Sequence, residues 1–217
     1  MDTTSHQETC SIDSTLIDKF REKADEGHFC YLHYSNINGI NQWHCICSAM
    51  DWISVAVGKI DFHPQLHFLG YNHDTTLKIL SLLMRVAMLK EGIEQLHRVL
   101  FATAEVYLKD DRSIWGTNPF GQTDNEYFET LRSCFGVHPI NLKGFKHGDA
   151  ETQRFAGWPY VALGEFEVTL YPQKAGGEDI TISMSFDQLE QYASKRYSHL
   201  NELIDILDKK IQETLVE

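Results

Sequence analysis

Residues 124–143, DNEYFETLRSCFGVHPINLK, bring an arginine, a histidine, a free cysteine and a glycine together at one helix end. Amphipathic spacing predicts a helix over 124–134, with Arg132 in its last turn and Glu129 three residues earlier to orient it. His138 follows past the helix, directly before Pro139, and an imidazole there titrates near neutral pH and can move a proton. A guanidinium that holds phosphate beside such an imidazole suits metal-independent phosphodiester cleavage. Between residues 132 and 154 four basic side chains, Arg132, Lys143, Lys146 and Arg154, outnumber two acids, Asp149 and Glu151. The segment is thus locally positive within a chain of net charge −12. Arg132 and His138 are the candidate catalytic residues, and Lys143, Lys146 and Arg154 the candidate substrate-binding residues. The plain alternative is an arginine that caps a helix and a histidine that packs in a turn.

Other groupings carry less chemistry. Cys134 and His138 have the types for a cysteine nucleophile, but a thiol near a helix C-terminus sits at the wrong end of the dipole for a lowered pKa. His28, Cys30, His33, His44, Cys45 and Cys47 could supply zinc ligands, yet their spacing lacks the regular pairs of structural zinc motifs. Buried cysteines beside core histidines are expected there, and no metal. His63 and His67 are four apart, but Pro64 interrupts any helix between them. Phosphate-loop, dinucleotide-fingerprint, nucleophile-elbow and HExxH patterns are missing from the sequence, so no cofactor is expected.

The elements that must position these residues are mostly helical. The 217 residues, 42% apolar and 23% charged, suffice for a substantial core. A polar lead-in over 1–10 is expected to be disordered and precedes an amphipathic helix ending near Gly27. The stretch 28–40 reads as either strand or irregular packing. Trp43, Ile46, Met50, Ile53 and Val57 mark a largely buried helix over 41–60, and apolar positions from Leu77 to Leu100, capped at Asp74 or Asn72, carry a longer one that Gly92 divides or bends. A loop over 109–123 leads to the helix at 124, and a basic connector follows to about 157. Residues 160–171 and 180–184 alternate as a β-hairpin, whose first strand switches parity at Gly164 as a bulge would. Ser185 and Gln188 form a capping box that opens a final helix over 186–215.

The expected fold is therefore a single mainly α (α+β) domain over 11–217: a helical bundle, a β-hairpin at 160–184 and a long C-terminal helix. The acidic balance argues against a general nucleic-acid coat. No apolar run reaches membrane-spanning length and the five cysteines form no CxxC pair, so a cytoplasmic chain with reduced thiols and no membrane contact is expected.

A helical bundle with Arg-x5-His at a helix boundary, Arg132-Ser133-Cys134-Phe135-Gly136-Val137-His138, resembles the HEPN superfamily. These are small helical proteins of prokaryotic defence and toxin–antitoxin systems, with eukaryotic relatives. The resemblance covers residues 40–145 by pattern. It implies a ribonuclease acting as a homodimer, with Arg132 and His138 of two protomers in one cleft cutting RNA without a metal. Ser133 stands where the family commonly has an amide or acid, and Gly136 and Pro139 interrupt the usual helical setting. The alternative from another class is a non-enzymatic regulatory protein that dimerises through its C-terminal helix.

Overall fold

The computed structural model describes residues 12–64, 73–137, 142–147, 150–162 and 165–216, so the expected lead-in lies outside the described residues. Two compact units make up the chain: residues 1–60, 85–107 and 193–217 form one, and residues 61–84 and 108–192 the other. The composition is mainly helical with a β component, as the periodicities predict.

The first unit opens with α1 (Thr15–Asp25), whose first amide donates to the Asp13 carboxylate at 2.8 Å. Gly27 and His28 both take left-handed backbone angles and redirect the chain. The ambiguous stretch that follows is helical, α2 (Phe29–Tyr34). It buries Phe29, Cys30 and Tyr34 on one side, a period of three to four that its histidines and aromatics obscure in the sequence. α1 packs along α7 (His199–Val216), burying Leu16, Ile17, Phe20 and Ala24 in the same core as Leu203 and Leu207. Lys23 ties the pair together, reaching Asp208 at 2.5 Å. The Tyr197 hydroxyl accepts the Ile17 amide at 3.0 Å and donates to the Asp13 carbonyl.

α3 (Trp43–Val57) lies against the second half of α4 (His73–Leu100), and α4 runs unbroken through Gly92. A Cβ at residue 92 would stand 2.5 Å from Ile53 Cγ1 and 3.2 Å from the Ala49 carbonyl oxygen. Gly92 is therefore a point of close helix approach, neither a break nor a bend. The predicted final helix is two, α6 (Phe186–Tyr197) and α7, parted at Ser198. The Ser198 hydroxyl donates to the Lys195 carbonyl at 3.0 Å, the local competition by which serine loosens a helix.

The second unit holds an antiparallel sheet larger than the predicted hairpin. Its strands are β1 (Leu142–His147), β2 (Ala150–Ala156), β3 (Tyr160–Ala162), β4 (Glu165–Pro172) and β5 (Ile180–Ser185). β4 is central, paired with β5 on one edge and with β3 and then β2 on the other. The basic connector is thus a β1–β2 pair, which its mixed polar residues do not announce as alternation. The parity change near Gly164 is a switch between antiparallel strands β3 and β4, not a bulge in one strand. One sheet face is apolar, with Phe166 opposite Met184, Val168 opposite Ile182 and Leu170 opposite Ile180. The Ser185–Gln188 capping box forms as expected and starts α6, with both bonds at 3.1 Å.

Candidate functional site

α5 (Asp124–Arg132) carries the candidate arginine, and its N-terminus is fixed unusually well. Thr123 and Glu126 form a full capping box: the Glu126 amide donates to Thr123 Oγ1 at 3.4 Å and the Thr123 amide to Glu126 Oε2 at 2.8 Å. The same backbone bond, with the Thr123 hydroxyl second, holds the Glu126 carboxyl below its ordinary range. Asp124, fully buried, accepts the amides of Ile114 and Trp115 at 3.1 and 2.8 Å. The long 109–123 loop is thereby folded onto the helix start, and Trp115 packs at a tilt against Tyr127 and Tyr192. Tyr192 in turn donates to Asn125 Oδ1 at 2.9 Å.

At the other end α5 passes into a π-helical turn, Ser133–Val137, so the chain leaves Arg132 along a widened helical path. Such turns recur at functional sites. Phe135 meets Phe166 edge-on across 6.4 Å and Tyr127 donates to the Ser183 carbonyl at 3.4 Å, which seats α5 and its extension on the apolar sheet face. Gly136 packs closely here: a Cβ would stand 2.2 Å from Leu80 Cδ2 on α4, so the Leu80 methyl would have to move. The glycine that interrupts the motif's helical setting thus lets the turn approach a neighbouring helix.

Arg132 is partly exposed, and Glu129 Oε2 lies 2.7 Å from its Nη2. His138 and Pro139 lie outside the described residues, as do the side chains of Lys143 and Lys146. Arg154 is 5% exposed, and its Nη1 donates to the carbonyls of Leu170 and Glu178 at 3.2 and 3.0 Å. That guanidinium clips β2 to the end of β4 and the turn before β5. Cys134 is fully buried, and burial pushes its thiol up to about 12, so it is protonated at neutral pH and packs as core.

The cysteine and histidine stretch is core only in part: Cys30 is buried and Cys45 and Cys47 are half-buried, but His28, His33 and His44 are exposed, so the expected core histidines lie at the surface. Cys30 is buried with its thiol pushed up to about 12 by burial, and His33 stacks on Phe29 at 5.2 Å. Burial also raises the thiols of Cys45 and Cys47. Among the described residues no group of three or more His, Cys, Asp or Glu side chains is placed to hold a metal ion. His67 falls outside the described residues.

One grouping was not foreseen from sequence. His97 Nδ1 and His199 Nε2 lie 2.9 Å apart inside the first unit. They are 102 residues apart in sequence, which hides the pairing. A partial signal exists: residue 97 shares the buried side of α4 with Ile93 and Leu100, where a solvated histidine would be out of place.

No family model, curated protein or solved structure matches the chain. Among the described residues no helix is long and apolar enough to cross a membrane.

Proposed function

We propose that the chain is a HEPN-like ribonuclease of a defence or toxin–antitoxin system, acting without a metal as a cytoplasmic homodimer. The observation that carries the reading is the α5 terminus: a partly exposed Arg132, oriented by Glu129, from which a π-helical turn leads directly to the residue before His138. Arg132 holds the scissile phosphate and offsets charge as it builds in the transition state. His138 takes the proton from the attacking ribose hydroxyl or returns one to the leaving oxygen. Lys143 and Lys146 add phosphate contacts along the RNA, while Arg154 holds β2 to the end of β4.

The test is cleavage of single-stranded RNA by purified protein in EDTA, alongside growth arrest on expression. Wild type is expected to cut, His138→Ala to lose roughly 100- to 10,000-fold in rate as a positioned acid–base group, and Arg132→Ala roughly 100- to 1,000-fold as a charge-stabilising donor. A wild type that leaves RNA intact, or a His138→Ala protein that cuts as fast, overturns the proposal.

One observation favours a non-enzymatic binding role instead. Trp52 is 53% exposed and lines two surface grooves, one of about 440 Å³ between α3 and α4 and one of about 490 Å³ on α3. An exposed indole flanked by grooves is a common anchor for a partner protein. An inert wild type that loses a bound partner on Trp52→Ala would support that role.

A further inference from the structure

We propose that His97 and His199 form an acid-opened clamp on the strap Thr103–Tyr107, which leads from the first unit of the chain into the second. Three segments meet at the pair. His97 lies in the last turn of α4, His199 is the first residue of α7, and Tyr107 lies face-to-face with His199 at 3.7 Å. Phe101 is also parallel to His199, at 6.2 Å, and is 4.5 Å from His97. The His199 side chain is 1% exposed.

The strap is bent at both ends by residues that resist the bend. Ala102 and Leu108 take φ of 49° and 55°, left-handed values that side chains with a Cβ rarely adopt. Neither is glycine, asparagine or aspartate, so surrounding contacts must hold the conformation. The ring stack on Tyr107 lies between the two bends and is suited to that role.

Proton chemistry gives the clamp its switch. Glu202 Oε2 lies 2.9 Å from His199 Nδ1, favouring a proton there, although the carboxylate is not aligned with the ring as a hydrogen bond requires. His199 Nε2 is then an acceptor and His97 Nδ1 the donor. A first proton, added at His97 Nε2, leaves that bond intact. A second must go to His199 Nε2, where it places two N–H groups nose to nose across 2.9 Å, and the pair parts. Charges around the pair come from every packed element. The carboxylates of Glu202 on α7 and Glu105 on the strap favour protonation of His97. On α4, Arg98 is exposed and its charge acts on Cys45, while α6 ends with Lys195 and Arg196 shortly before His199. Burial lowers both imidazoles, His199 to about 4 with the His97 charge adding to the effect. Folded His199 therefore resists its proton, and the clamp stays shut near neutrality and opens as pH falls from 6.5 toward 4.

The experiment is NMR on the intact chain between about pH 7.5 and 4, the range that brackets an ordinary and a depressed imidazole. It follows the His97 and His199 Cε1 protons together with exchange of the 103–107 amides, corrected for the intrinsic pH dependence of exchange. Strap protection is expected to fall by about tenfold or more as the second imidazole titrates, while α1 and α7 amides stay protected. His97→Gln is the critical variant, since its amide can donate to neutral His199 or accept from the protonated ring, and should hold the strap across the range. Strap protection that ignores pH in wild type, imidazoles that both titrate near the ordinary value of about 6.5, or a His97→Gln strap that opens at the wild-type pH would each overturn the clamp. If His97→Gln does not fold, the coincidence of strap opening with the second wild-type titration decides alone.

Discussion

Replacing Gly92 by alanine tests how the helical unit is packed. In the middle of an exposed helix the change would stabilise by about 1 kcal/mol, because alanine costs less backbone entropy. Here the new methyl would stand 2.5 Å from Ile53 Cγ1 and 3.0 Å from its Cδ1. Carbon atoms in contact sit about 3.5–4.0 Å apart, so the overlap is about 1 Å. Ile53 is fully buried and branched at Cβ, and the backbone carbonyl of Ala49, one turn earlier on α3, lies 3.2 Å away, so neither neighbour yields easily. Overpacking of this kind costs about 1–3 kcal/mol, leaving a net loss of up to about 2 kcal/mol, or at most roughly 4–8 °C in Tm. Ile53→Ala alone should lose about 2–5 kcal/mol as a cavity. When the two changes are combined, the methyl added at residue 92 enters the space that isoleucine leaves. The double variant should then be more stable than the summed single losses by at least about 1 kcal/mol. Urea unfolding followed by circular dichroism and tryptophan emission measures all four corners of the cycle. Additivity within about 0.5 kcal/mol, with Gly92→Ala neutral or stabilising, would falsify the close approach as the reason for this glycine.

Three further outcomes follow from the local chemistry. His199 is lowered from an ordinary 6.5 to about 4, so the unfolded chain takes up its proton first. The contribution is complete above 6.5 and is lost as pH falls toward 4. Burial outweighs the opposing pull of the Glu202 carboxylate, and urea midpoints compared near neutrality and near the depressed value should show the loss, as His199→Gln does not. Thr123→Ala removes the capping box and should cost about 1–2 kcal/mol, read by thermal unfolding, whereas Thr123→Ser should recover most of it. Cys30 and Cys134, buried with thiols pushed up to about 12, should stay unmodified by a thiol reagent in mildly alkaline buffer until urea is added, and rapid labelling of either in folded protein would contradict their placement.

What the sequence discloses depends on whether a side chain's neighbours are local. The apolar stripes of α1, α3 and α4 recur at three and four, and the Ser185–Gln188 box closes within a single turn, so helix positions and the start of α6 are legible from pattern. β1 and β2 are not, because their polar residues do not alternate and β2 finds its second partner in β4, well separated along the chain. The same holds for glycine: Gly92 and Gly136 look like helix breakers until Ile53 and Leu80 are placed against them.

That distinction bears on the candidate site. Read locally, Gly136 inside Arg132…His138 weakens the case for a helix-borne motif, since glycine destabilises a helix interior by about 1 kcal/mol. Read in the fold, it permits the close approach to Leu80, and Phe135 beside it anchors the same turn on Phe166. An alanine at 136 would have to displace the Leu80 methyl or tilt the turn, and a tilt would shift the chain directly before His138. If Arg132 and His138 act together on a phosphate, misplacement by about 1 Å is enough to cost roughly 100-fold in rate. Gly136→Ala should then lower RNA cleavage far more than it lowers stability, and Leu80→Ala should restore part of the rate in the double variant. A purely structural corner would show the opposite order, with stability falling in step with whatever activity remains.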